Sequence, residues 1–298
     1  MAELLTDYNL DSNVSPLIAV GGANAFQVSQ EGIINTYSLG LNGAPSLSEF
    51  NDLRSKMTNE AMNSIGSDAH LMTRKYRDIF DSAIKAQGIV EGAFQEAESL
   101  GVDYDGLFSA AGAELTSKST QRFRTVAKMI AGRSLTNNQR PVYFIKMSGF
   151  DTHQNLLIDH SALMHELSTV LKGFKEVLSA QGDFDNVLTV VASEFGRTFT
   201  VNGTATDAGT DHGWGGHTLV MGGMVNGGQL FGTHPDFELN QGLDVGRGRW
   251  IPTTSNSQCS AVMANWMGVS QSKLSQLFPS INNFDSPFDV GANLGFIG

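Results

Sequence analysis

Two short apolar runs, Pro16–Val20 and Ile33–Leu39, each flanked by Gly and Asn, lie near the start of the chain and predict strands or extended connections. Gly21-Gly22 between them predicts a turn or a close backbone approach; no Lys-Ser/Thr pair follows it, which argues against a phosphate loop. From residue 46 the pattern changes to a helical one. Ser46-Leu-Ser-Glu49 has the form of a capping box, residues 71–100 are rich in Ala, Glu, Gln and Lys, and the run from Ser119 ends at Gly132, a usual helix stop. No strand is expected within 46–134, so this block reads as a helical insertion or cap packed beside a sheet.

Residues 141–223 alternate between the two periods. Pro141–Met147 and Asn186–Val191 are apolar, β-branched runs that predict buried parallel strands. Between them Leu163, Met164, Leu167, Val170, Leu171, Phe174, Val177 and Leu178 form one helical stripe. Together they predict a βαβ unit with a right-handed crossover. A further strand over His217–Gly222, a hairpin over Gly227–Gly232, a helix over Gln258–Met267 and a loop-like end pinned by Phe rings complete the reading. The fold class expected is therefore α/β: one domain over residues 1–298, with a mainly parallel central sheet, helices on both faces and the helical insertion.

Composition narrows the partners more than the fold. The 298 residues carry a net charge of −11, which argues against nucleic acid, because phosphate-backbone binding needs clustered Lys and Arg. A phosphorylated or sulfated small molecule stays compatible, since a bound metal inverts the local field. Cys259 is the only cysteine, which excludes an intrachain disulfide and a thiolate metal cluster. No 18-residue apolar run exists, so no membrane span is expected, and the first residues show no export signal.

The polar residues that carry chemistry come in bursts just past the predicted strands, where open α/β sheets collect their sites. Gly149-Phe-Asp-Thr-His153 offers Asp151 and His153 as oxygen and nitrogen ligands for a zinc-class ion; the alternative is a loop Asp capping the next helix and a solvated His. Glu194 is a ligand, a base or a helix cap. Arg197, three residues on, either pairs with Glu194, orients it, or holds a substrate oxyanion. Asp211, His212 and His217 lie in a glycine-rich segment that lets side chains converge, and Trp214 can wall a pocket. His70, His160, His165 and His234 are assigned structural roles.

In order and spacing, Gly149-Phe-Asp-Thr-His153, Ser193-Glu-Phe-Gly-Arg-Thr198 and Thr210-Asp-His-Gly-Trp-Gly-Gly-His217 resemble the DUF1501 family, a bacterial family related to the alkaline phosphatase and sulfatase superfamily. Pro252–Gln258 and Trp266–Val269 resemble its C-terminal region. The resemblance implies a two-metal site, usually zinc, on a central α/β sheet. Asp151 and His153 resemble an Asp-x-x-x-His ligand pair with shortened spacing. Glu194 falls where the superfamily often has Asp-His, with Phe195 in place of the His, and His217 resembles the last zinc ligand.

The superfamily takes its nucleophile and a further metal Asp from a loop after the first core strand, and family members usually carry a twin-arginine leader before it. Met1 here is expected to start after that region, and residues 1–40 offer no convincing substitute, so the chain is expected either to be a fragment or mis-started product or to have lost the catalytic half. Localisation is not readable from the chain, and the resemblance implies export only if a leader is missing. Two functions follow. One is a metal-dependent hydrolase of phosphate or sulfate esters of small molecules or glycans. There Asp151, His153, Glu194, Asp211, His212 and His217 hold one or two divalent ions of the zinc class, and Arg197 and Glu194 act on the substrate. The other is a noncatalytic relative that binds metal, a glycan or a protein through the same pocket.

Overall fold

A computed structural model of the chain describes residues 7–22, 27, 36–41, 43, 52–288 and 294–298. The predicted capping box at Ser46–Glu49 and the first three residues of the run Ile33–Leu39 lie outside these residues. The elements run β1 (Leu17–Val20), β2 (Tyr37–Ser38), α1 (Asp52–Asn63), α2 (Leu71–Ser99), α3 (Tyr104–Ala110), α4 (Lys118–Ala131), α5 (Arg133–Thr136), β3 (Val142–Ile145), α6 (Leu156–Gln181), β4 (Thr189–Val191), β5 (Gly196–Val201), β6 (Thr210–Gly213), β7 (Leu219–Met221), α7 (Asn256–Trp266) and α8 (Leu274–Leu277). The fold is mixed α/β. No helix among the described residues is long and apolar enough to cross a membrane.

β1 is the centre of a three-stranded parallel sheet in the order β2-β1-β3. Its register against β3 runs from Leu17 opposite Val142 to Val20 opposite Ile145. Parallel neighbours cannot be joined by a tight turn and need a crossover. Here the helices α1 to α5 make that connection.

The helical block shares one hydrophobic core with the sheet. Ile18 and Val20 of β1 cluster with Val90 of α2, Phe108 of α3, Val126 of α4 and Val170 and Phe174 of α6, all buried. Phe123 meets Phe174 edge to face at 5.0 Å. The apolar stripe of α6 is buried from Leu167 to Leu178, while its first turns leave Leu157 and Ile158 exposed. Gly21, at φ +94°, follows β1 where an added Cβ would lie 2.6 Å from the Arg122 guanidinium, so the close approach predicted there is made by a side chain of α4.

The second half departs from a single parallel sheet. Asn186 lies in a 3-10 turn and β4 begins only at Thr189. β4 pairs antiparallel with β7, Val190 opposite Val220, and is not beside β3 among the described pairings. Half-buried Thr, Val and Val on β4 suit either sheet type, so the apolar run alone did not fix its partner. β5 and β6 form another antiparallel pair. The predicted hairpin at Gly227–Gly232 is not formed: the segment carries no strand, and Gly228 and Gly232 sit in left-handed turns. At the C-terminal side, Ser255 and Gln258 close a reciprocal capping box at the start of α7, and Leu294 and Phe296 are buried against Val262.

Candidate metal centre

Asp151 and His153 lie in the loop between β3 and α6. Thr152 between them is buried, and an amide-to-carbonyl bond from His153 to Asp151 tightens the backbone, so the two flanking side chains stay outside. His212 comes from β6, where it stands opposite Arg197 of β5. The segments meet because Thr210 N donates to Thr152 O at 3.2 Å and Gln154 bridges Ala208. Gly209 makes this approach feasible: a Cβ there would lie 2.2 Å from the His153 carbonyl carbon.

Three ligand-type atoms converge as a result. Asp151 Oδ1 is 3.1 Å from His153 Nε2 and 3.1 Å from His212 Nε2, and the two Nε2 atoms are 3.2 Å apart. Tetrahedral zinc with bonds of about 2.0–2.1 Å needs ligand atoms about 3.3 Å apart, so the triangle fits one zinc-class ion. All three residues are exposed, so an ion held by them would keep at least one coordination position open to solvent.

The surroundings orient these groups. Asp211 Oδ1 lies 3.3 Å from His153 Nδ1 and its Oδ2 accepts from Arg247 at 2.5 Å. A carboxylate on Nδ1 favours the proton there and leaves the Nε2 lone pair free for a cation. Asn202 Nδ2 donates to the His153 carbonyl at 2.9 Å and lies 3.4 Å from Asp211. The Phe195 ring stacks on the His212 ring at 4.1 Å and 15°, fixing its plane. Arg197 donates to Asp151 Oδ1, to the Thr210 carbonyl and, through Nε, to Thr210 Oγ1 at 3.1 Å.

Desolvation opposes the Asp151 carboxylate's charge, but the Arg197 bond and the two His rings prevail and hold it below the usual carboxylate range. At Asp211 the Arg247 bond, working against desolvation and aided by Asn202, does the same. Both carboxylates are thereby kept ionised, the form a cation site requires.

Of the residues proposed from the sequence, Asp151, His153 and His212 come together, with Asp211 touching His153 from behind. Glu194 lies exposed between β4 and β5, and Arg197 pairs with Asp151 instead of Glu194. His217 stacks on His234 at 5.8 Å, in an aromatic group with Phe237, Phe199 and Trp250. His70 caps α2 by accepting from Met72 N at 3.2 Å, the structural role expected. Cys259 sits half-buried on α7, where desolvation pushes its thiol up.

The sequence reading missed the turn over Asn240–Trp250. Asp244 accepts backbone N–H bonds from Asn240, Gly246 and Arg249, and Asn240, Gly242, Gly246, Arg247 and Gly248 all have positive φ. The turn presents Arg247 to Asp211 and Arg249 Nε to the His212 carbonyl, 3.1 Å away. Its signal was visible as Asp244-Val-Gly-Arg-Gly-Arg249, an acid followed by basic residues spaced by glycine.

The model of a family described as protein of unknown function (DUF1501) matches residues 44–246, more than half of the chain. The chain belongs to the DUF1501 family. The matched span contains Asp151, His153, His212 and Asp211 and stops just before Arg247. No curated protein and no solved structure matches the chain.

Proposed function

We propose that this DUF1501 member is a metal-dependent hydrolase acting on phosphate or sulfate esters. The observation that carries this reading is the triangle of Asp151 Oδ1, His153 Nε2 and His212 Nε2, with edges of 3.1–3.2 Å and an open side. In this reading those three residues hold one divalent ion of the zinc class. When bound, the ion supplies Lewis acidity toward an ester oxygen. Arg197 orients the Asp151 carboxylate and keeps it ionised, and Asp211 keeps the His153 proton on Nδ1. Phe195 holds the His212 ring and shields one face of it from water. The relation to the alkaline phosphatase and sulfatase superfamily belongs to the same proposal, with the parallel strands β2, β1 and β3 as part of its central sheet.

The test is metal analysis of chelator-washed, zinc-reloaded protein, followed by a screen of phosphate and sulfate esters. Wild type is expected to retain zinc and to turn over an ester in a chelator-sensitive way. His212→Ala should lose both, whereas His217→Ala, whose ring stacks on His234, should keep its zinc. Wild type without zinc, or His212→Ala with full zinc and full activity, overturns the proposal. Tight zinc without turnover would leave a noncatalytic binding protein.

A further inference from the structure

Three arginines surround the triad, and they are not equivalent. Arg197 is committed to the Asp151 carboxylate and to Thr210. Arg247 is committed to the Asp211 carboxylate, with a long bond to the Val201 carbonyl. Arg249 meets no carboxylate among the described residues. Its Nε donates to the His212 carbonyl at 3.1 Å, and its two terminal nitrogens meet no acceptor among the described residues.

The backbone around Arg249 is built, not loose. Its own N–H is held by Asp244 Oδ1 at 2.9 Å, and the next residue, Trp250, is buried and accepts from Gly215 N at 3.0 Å. A guanidinium presents its donors as a planar fork that matches two oxygens of a tetrahedral oxyanion. One anchored Nε with two free terminal nitrogens is that fork with its open end unfilled. The anchor is the main chain of the same residue whose ring supplies one corner of the triangle, which ties Arg249 to the strand that carries the candidate metal ligand His212. It stands out in a chain of net charge −11, where an unpaired cation next to a cation site selects for anions.

We propose that Arg249 is the anion-binding residue of this site: its two terminal nitrogens take two oxygens of a phosphate or sulfate group. The role of oxyanion holder, one of those expected of Arg197 from the sequence, passes to the one arginine of the three that no carboxylate among the described residues neutralises. This rests on the ester-hydrolase reading for its biological meaning, but the anion contact is separable from the metal.

Calorimetric titration with inorganic phosphate and with sulfate tests it, on zinc-loaded and on chelator-stripped wild type and Arg249→Gln, with zinc content measured in parallel. Arg249→Gln should keep the zinc content of wild type and bind phosphate roughly 10- to 100-fold more weakly, the loss expected for a charge-assisted two-bond contact. Phosphate affinity within twofold of wild type overturns the proposal, as does a wild type that binds neither anion in either form. Wild type that takes up no zinc, yet binds phosphate through Arg249, sustains the anion site and removes the metal reading. Should the Gln variant lose zinc, Arg249→Lys keeps the charge and a donor for the His212 carbonyl but lacks the fork. Several-fold weaker phosphate binding there sustains the proposal, and unchanged binding overturns it.

Discussion

Around Phe108 the chain is ordered by burial. That ring is wholly inaccessible, as are Val90 of α2, Val170 and Val177 of α6 and Ile18 of β1. In the segment from Gly196 to Ile251 large rings stand in solvent instead: Phe199 is 59% exposed, Phe237 52% and Trp214 64%. Order there comes from directed contacts. Asp244 gathers three backbone N–H groups, Arg197 and Arg247 each hold a carboxylate, and glycines let backbones approach. The first kind of order is non-directional and tolerates small shifts; the second fixes atoms in direction and distance but is weak against solvent. A site that must place three ligand atoms within a few tenths of an ångström needs the second, resting on the first.

The sharpest way to break this comparison is to damage the core. Phe108→Ala is expected to destabilise the protein by about 3–5 kcal/mol, the cost of deleting a buried ring and leaving a cavity. Urea unfolding measures it. The zinc affinity of the molecules that remain folded should stay at the wild-type level. If affinity falls together with stability, the two regions are one cooperative unit and the division fails.

This division also decides what could be read from the sequence. Burial leaves periodic traces. The stripe from Leu167 to Leu178, the Gly132 stop of α4 and the apolar runs of β1 and β3 were all visible, and the structure places elements on them. Directed contacts leave residue types but not partners. Asp151, His153 and His212 could be nominated as metal-ligand types, but only the path of the backbone through Gly209 brings residues 59 and 61 apart in the chain to one point. The same limit explains Arg197, which had Glu194 as its obvious neighbour and took Asp151 instead. It explains β4 as well, whose pairing with β7 depends on a return through the site loops that no local pattern encodes. Arg247 went unnoticed because its work is done through a partner, Asp211, 36 residues away.

A second experiment sharpens the comparison within the site. Asp211→Asn keeps the shape but lowers the acceptor strength opposite His153 Nδ1 and removes the partner of the Arg247 charge. Outer-shell losses of this kind typically cost roughly 10- to 100-fold in metal affinity. Competition with a chromogenic chelator should show a drop in that range for zinc, with the urea midpoint nearly unmoved because the carboxylate is partly exposed. Unchanged zinc affinity would mean that Asp211 does not orient His153.

The smallest effect, and the most local, concerns Asp244, which lies outside the triad and touches only the turn that carries Arg247 and Arg249. The backbone N–H groups of the turn, that of Asn240 first, outweigh desolvation and hold its carboxyl below the usual value of 3.8. A carboxyl depressed on folding stabilises the folded state above its unfolded pKa, and that contribution is lost as pH falls through the lowered folded value. Asp244→Asn should therefore lower the protection of the amides in the Asn240–Arg249 turn against hydrogen exchange at neutral pH. The gap from wild type should begin to narrow below about pH 3.8, the unfolded value, and close as the pH falls through the lowered folded value, where the wild-type carboxyl protonates and loses the same charge. Amides of α4 and α6 should not respond, since Asp244 bonds only within its own turn. A gap that stays constant with pH would assign the loss to altered shape, and charge would then not be what holds this turn against the site.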